Sequence, residues 1–201
     1  WRCPARLLSS FLAGLFLVGA AAPAKAAEFD LSRLKEGGYV VLLRHVKAGG
    51  VDADDFDLAN CRTQREVGAA GRAQAEVLKA RFQAAGITEA RVLTSQWCRA
   101  RQTAELLGLG PVEDEVGINY FHWKLGSESE MNARLERFFR GLQAPSPGAP
   151  PLILVSHKTA FAAIGQDSPP SGGGLVLRPN GSAAPQVVGT ITAPEPSRSL
   201  C

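Results

Sequence analysis

No Walker-type glycine loop, no CxxC pair and no internal repeat occurs in the 201 residues. The first absence excludes a P-loop nucleotide site, the second a thioredoxin-like motif or zinc ribbon, and the third a solenoid. Histidine is scarce: His45, His122 and His157 are the only three. Their spacing matches no zinc motif. The apolar run that opens the chain, Leu7–Ala22, is short for a full bilayer span.

That run has another reading. Arg2 and Arg6 precede it, and Ala24-Lys25-Ala26 follows it as a small-x-small site. Basic, apolar and cleavage regions in this order predict a secretory signal peptide over residues 1–26. The remaining 175 residues, 27–201, suffice for one domain with a substantial core. Of the 22 basic residues, Arg2, Arg6 and Lys25 fall in the signal, leaving 19 basic against 19 acidic. The mature chain thus has no basic excess to suggest nucleic-acid binding. A periplasmic or secreted protein with no stable membrane span after signal removal is expected. Cys61, Cys98 and Cys201 remain, and in an oxidising compartment two of them should pair. Cys201, the last residue, is the natural odd one out.

Element signals alternate along the chain. Asp30 is a plausible N-cap for a short helix that stops at Gly37. Tyr39–Leu43 and Leu152–Ser156 are unbroken apolar runs of the kind buried on both faces of a parallel sheet, and Arg91–Ser95 is a further short strand. Lys47–Asn60 reads as a polar loop. Gly68–Ala85 reads as a helix with Ala69, Ala73, Val77, Leu78 and Phe82 at helical spacing, ended by Gly86. Arg99–Leu107 and Glu128–Leu142 are further helical runs, the latter with Met131, Leu135, Phe138, Phe139 and Leu142 on one stripe. Ala144–Pro151 is a linker, and a short helical piece lies near Thr159–Ile164. Gly174–Arg178 and Gln186–Thr192 are late strands joined by the turn RPNGS. This order predicts a three-layer α/β/α sandwich with a mainly parallel central sheet.

In such sheets ligands sit outside the carboxyl ends of the strands. The first strand ends in Arg44-His45, the second leads to Arg99 at the start of a helix, and the third ends in Ser156-His157. Arginine forks suit phosphate oxygens, and histidine can attack phosphorus. Two arginines and two of the three histidines at one sheet edge are the composition wanted for a phosphoryl group.

LLRH, SQWCRARQTA and VSH, taken together, resemble the three signatures of the histidine phosphatase superfamily, which includes the phosphoglycerate mutase-like enzymes. REVGAAGRAQAEVL fits the helix between the first two, and the resemblance runs from about Tyr39 to Arg178. It implies a histidine phosphatase domain over 27–201, in which His45 is phosphorylated and then hydrolysed. Arg44, Arg99 and His157 would hold the phosphoryl oxygens, with no metal or other cofactor. The substrate would be a small phosphomonoester, such as an envelope sugar phosphate. A non-catalytic phosphate binder on the same fold and a phosphotransferase or mutase are the alternatives.

Departures from the pattern are Val46, where Gly is usual, and Lys158, which excludes the branch with Asp after the second histidine and adds a cation near the pocket. Tyr120 stands where the other branch has its acidic Glu, so the general acid is unassigned. Asp54, Asp55, Asp57, Glu113, Asp114 and Glu115 read as solvated loop charge, and His122 as a packed or surface histidine. Convergence of the motifs would also bring Cys61 to Cys98 and make them the disulfide pair.

Overall fold

A computed structural model describes residues 27–195; the expected signal segment 1–26 and Cys201 lie outside them. The unbroken apolar runs are the centre of the sheet. Strand β1 (Val40–Arg44) runs parallel to β6 (Leu152–Ser156), in register from Val40 opposite Leu152 to Arg44 opposite Ser156. Between them in sequence lie two two-residue strands that pair with each other, β2 (Ala48–Gly49) and β3 (Glu66–Val67). Strand β4 (Arg91–Thr94) pairs with the other edge of β6, and β5 (Val112–Asp114) extends the parallel set. A C-terminal hairpin, β7 (Gly174–Asn180) and β8 (Ala183–Ile191), adds antiparallel to β1. The main sheet therefore runs β5-β4-β6-β1-β7-β8, mostly parallel.

Alternation along these strands fills two cores. Val41, Leu43, Val92, Ile153 and Val155 pack with helices α1 (Ala69–Ala84) and α2 (Cys98–Leu107). Val40, Leu42, Leu93, Leu152 and Leu154 pack on the other side with α3 (Glu128–Arg140) and the short α4 (Lys158–Ala162). This is the three-layer α/β/α architecture expected. Helix α3 begins with a reciprocal capping box between Ser127 and Glu130 and buries Met131, Leu135 and Phe139. No helix among the described residues is long and apolar enough to cross a membrane.

Four local readings differ from the structure. Asp30 does cap a helix, but Leu31–Glu36 is 3-10. The loop after His45 carries the small β2–β3 ladder, and the acidic edge strand β5 has too few apolar residues to announce itself. The late strands reach through Asn180 and from Ala183, so the turn is only Gly181-Ser182. In α1 the buried stripe is Gly71, Gln74, Ala75, Leu78 and Phe82, while Ala69 and Val77 face solvent. Gln74 is buried because its amide satisfies backbone: Lys47 N–H donates to it, and its own nitrogen donates to the Ser171 and Pro194 carbonyls. A periodicity of apolar residues cannot register that.

Gly71 shares the buried stripe. A Cβ there would stand 2.1 Å from the Lys47 carbonyl oxygen and 2.8 Å from Val67. Both obstacles belong to the segment leaving His45, so this glycine sets how closely α1 approaches it. Gly71→Ala should destabilise the fold by about 1–3 kcal/mol through overpacking. Urea unfolding measures this, and a variant as stable as wild type would contradict the close approach.

Candidate active site

Three neighbouring strands end level with one another. The ladder continues one residue past each pairing: His45 N–H donates to Ser156 O at 3.0 Å, and Ser95 N–H to Val155 O at 3.1 Å. These backbone bonds bring Arg44, His45, Ser95 and His157 together at one sheet edge. The rings of His45 and His157 lie 5.2 Å apart, centre to centre.

Each imidazole is held by one nitrogen. His45 Nδ1 lies 2.8 Å from the Val46 carbonyl, which can only accept, so Nδ1 carries the proton. Nε2 is left with its lone pair. His157 Nε2 lies 2.8 Å from Ser95 Oγ, which also accepts from Trp97 N–H. Both rings are buried. Burial pushes His45 down from 6.5 to about 4, against the Val46 hydrogen bond and with the help of Arg99, Arg44 and Arg65. Burial and then Arg99, His45, Arg44 and Arg65 push His157 well below its ordinary value too. A neutral imidazole is the nucleophilic form.

Three guanidiniums surround these rings. Arg44 Nη1 donates to Pro169 O at 2.9 Å, and Arg65 Nη2 to Ala48 O at 3.0 Å. Arg99, buried at the first turn of α2, lies 4.6 Å over the Trp97 ring and 5.5 Å over that of Tyr120. Its Nη1 pairs with Asp52, 3.2 Å from Oδ1. Burial lowers the proton affinity of Arg44 and Arg99, and Arg65 lowers both further. The Nε of each of the three arginines is buried without a hydrogen-bond partner. Three cations against one carboxylate leave two positive charges in excess, the complement of a phosphomonoester dianion.

The segment from His45 to α1 is fastened at several points. Cys61 is bonded to Cys98, the first residue of α2 and the neighbour of Arg99. Gln64, also buried, accepts from Cys98 N–H and donates to Asp57 O. Thr103 Oγ1 accepts from Val46 N–H and donates to Arg99 O, tying the helix that bears Arg99 to the residue after His45. Gln102 accepts from Val67 N–H and donates to Glu66. The Gln and Thr of RARQTA thus have positioning roles.

The structure brings together Arg44, His45, Arg99 and His157. It also adds Arg65, Asp52 and Ser95, which were not singled out in the sequence. Arg65 stands just before the helix in TQREVG, where an arginine ordinarily reads as surface charge. Asp52 is one of several aspartates in its loop and carries no local mark. Lys158 corrects an expectation: it is exposed on α4, and the extra cation is Arg65 instead. Val46 is wholly buried in the core, so a side chain fits where Gly is usual. Tyr120 does reach the site, with its ring 5.3 Å from that of His157. His122 packs edge-on against Phe56, as a packed histidine should. Glu113 pairs with Arg91, Asp114 with Arg101, and Glu115 caps the 3-10 turn Val116–Ile118.

A separate concavity lies at the opposite, amino-terminal edge of the sheet, lined by residues that include Lys35, Ile87 and Pro150. It gathers none of these groups. The strand-end cluster is where the chemistry can occur.

No protein-family profile and no curated protein matches the chain. Solved structures do. The protein histidine phosphatase SixA, solved in complex with tungstate, aligns over 77% of this chain and 96% of its own with a TM-score of 0.53 and 16% identity. A SixA from Nakamurella aligns over 78% and 96%, with a TM-score of 0.52 and 18% identity. A phosphoserine phosphatase from Entamoeba histolytica, in complex with 3-phosphoglyceric acid, aligns over 78% and 98%, with a TM-score of 0.52 and 13% identity. The fold is that of the histidine phosphatases.

Two measurements follow from the histidine phosphatase fold as this chain builds it. His45 should stay neutral well below pH 6.5 in an NMR titration of the ring nitrogens, and a midpoint near 6.5 would contradict its burial. The linked stability has a definite sign. Between 6.5 and about 4 the unfolded chain binds the proton that folded His45 refuses. The contribution is therefore complete above 6.5 and is lost as pH falls to about 4, amounting to about 3 kcal/mol. Second, the bridge between Cys61 and Cys98 closes a 37-residue separation. Its reduction should cost ~3–4 kcal/mol in the chain-entropy model, read as a lower denaturation midpoint with reductant. An unchanged midpoint would deny it a stabilising role.

Proposed function

We propose that this protein is an exported phosphatase that hydrolyses a small phosphomonoester through a phosphohistidine at His45. The observation that carries the reading is a neutral imidazole, its Nε2 lone pair free, set among three guanidiniums, one buried and two half-buried, each with its Nε donor unused. Arg44 and Arg99, with Arg65, would bind the phosphoryl oxygens and stabilise the charge that shifts among them during transfer. His157, oriented by Ser95, would complete the cradle. His45 Nε2 forms the bond to phosphorus as the ester oxygen leaves, and water then releases inorganic phosphate. The neighbours of this fold named as phosphohistidine and phosphoserine phosphatases support the reaction class.

Export rests on the signal-like residues 1–26 and agrees with the Cys61–Cys98 bridge, since disulfides persist in oxidising compartments. A periplasmic or secreted location makes an envelope sugar phosphate a fitting substrate. Trp123, 70% exposed and connected through His122 and Phe56 to Trp97, offers an apolar face for the part of the substrate beyond the phosphate.

Rapid quenching with a radiolabelled aryl phosphate tests the reading. Wild type should carry acid-labile, base-stable label, and His45→Ala, still folded by circular dichroism, should carry none and lose turnover. Phosphate binding by wild type with neither label nor turnover would instead make the protein a phosphate binder.

A further inference from the structure

Transfer of a phosphoryl group from an alkyl ester leaves an alkoxide unless a proton arrives with the departing oxygen. None of the carboxylates considered from the sequence is placed to supply it. Asp54, Asp55 and Asp57 are exposed, and Glu113, Asp114 and Glu115 have the structural partners described above. We propose that Asp52 is the proton donor: its carboxyl lies against the phosphoryl-binding guanidinium of Arg99 while the backbone of Arg65 holds it in place. The inference rests on the phosphatase reading of the same site.

Two contacts carry the assignment. Asp52 Oδ1 is 3.2 Å from Arg99 Nη1, and Oδ2 is 3.4 Å from the same nitrogen. Oδ1 also accepts from Arg65 N–H at 2.8 Å. When a phosphoryl dianion takes the Arg99 fork, the first contact is exchanged and the second persists. The carboxyl is then one guanidinium away from phosphorus, still anchored to the loop.

Its place relative to the opening fits the direction of transfer. The Asp52 side chain is 20% exposed and that of Arg99 only 3%, so Asp52 is the outer member of the pair. Attack by His45 from the buried side sends the leaving oxygen outward, in line.

The step balances. Asp52, a carboxylate in the free site, takes up a proton from solvent as the ester displaces it from Arg99. His45 Nε2 bonds to phosphorus as the P–O ester bond breaks, and that proton passes from Asp52 to the leaving oxygen to give an alcohol. Asp52, again a carboxylate, takes a proton from the incoming water. The water oxygen bonds to phosphorus as the P–N bond breaks. Inorganic phosphate leaves, Asp52 gives its proton back to solvent as it pairs with Arg99 again, and His45 is once more neutral.

Leaving groups test this, because a good one needs no proton. Asp52→Asn keeps the acceptor for Arg65 N–H and removes the proton. Against wild type, its kcat/KM should fall about 100-fold or more on glycerol phosphate, the size of general-acid effects, and less than about 10-fold on p-nitrophenyl phosphate. Asp52→Glu, which retains a carboxyl, should recover part of the glycerol phosphate activity and gives a second reading if the Asn variant folds poorly. Equal losses on both substrates would overturn the proposal and leave Asp52 as a positioning residue for Arg99. Gains on both would also overturn it, making the carboxylate a plug in the phosphate site. In either case wild type still labels His45, so the phosphatase reading stands. A wild type that neither labels nor turns over either ester overturns both.

Discussion

Three arginine side chains crowd two imidazoles inside this protein, with a single carboxylate among them. Like charges repel, and burial raises the cost of each. The chain tolerates this only because backbone and covalent bonds hold each group where electrostatics would not. Arg44 is fixed by a central strand and the Pro169 carbonyl, Arg65 by the Ala48 carbonyl, and Arg99 by a helix start stapled through Cys98. Burial, helped by these charges, keeps both histidines neutral. A site that disfavours its own protons and leaves buried donors unused is one that an anion would stabilise.

That constraint explains where the scaffold is rigid. The central strands need no polar help, since their apolar side chains pack on both faces. Reinforcement concentrates instead in the segment after His45, which is long, acidic and poor in core residues. There the disulfide, the buried Gln64, the β2–β3 ladder and the Thr103 hydroxyl each take up backbone groups or chain entropy that packing would otherwise have to offset. Thr103 couples stability to function most directly, since one hydroxyl bonds both the residue after His45 and the carbonyl of Arg99. Gly71 does the same by its lack of a side chain.

Aromatic groups form the remaining wall. Phe56 stacks on Trp97, Tyr120 lies edge-on to Trp97, and Arg99 lies over both Trp97 and Tyr120. This wall does two things. It supports the guanidinium from one side, and it leaves an apolar surface beside the arginine cluster. Under the proposed function, the phosphate and the group attached to it would be recognised by different residues.

Much of this was readable from residue order. Unbroken apolar runs ending in Arg44-His45 and Ser156-His157 announce buried strands that deliver charge to a sheet edge, and RARQTA announces a helix start that bears Arg99. These signals are local: a strand or helix start advertises itself through its own residues. Arg65, Asp52 and Ser95 belong to the site through distance alone. Arg65 looks like a surface cation, Asp52 is one acid among several in its loop, and Ser95 is a strand-end hydroxyl. What selects them is the packing of α1 and α2 on the sheet and the ladder that sets β4 level with β6. The buried face of α1 likewise depended on Gln74 finding backbone partners from three distant segments. Strand identity and the order of the signatures were determined by the sequence itself. Which loop charge entered the pocket was decided by tertiary structure, because burial and pairing are properties of neighbours in space.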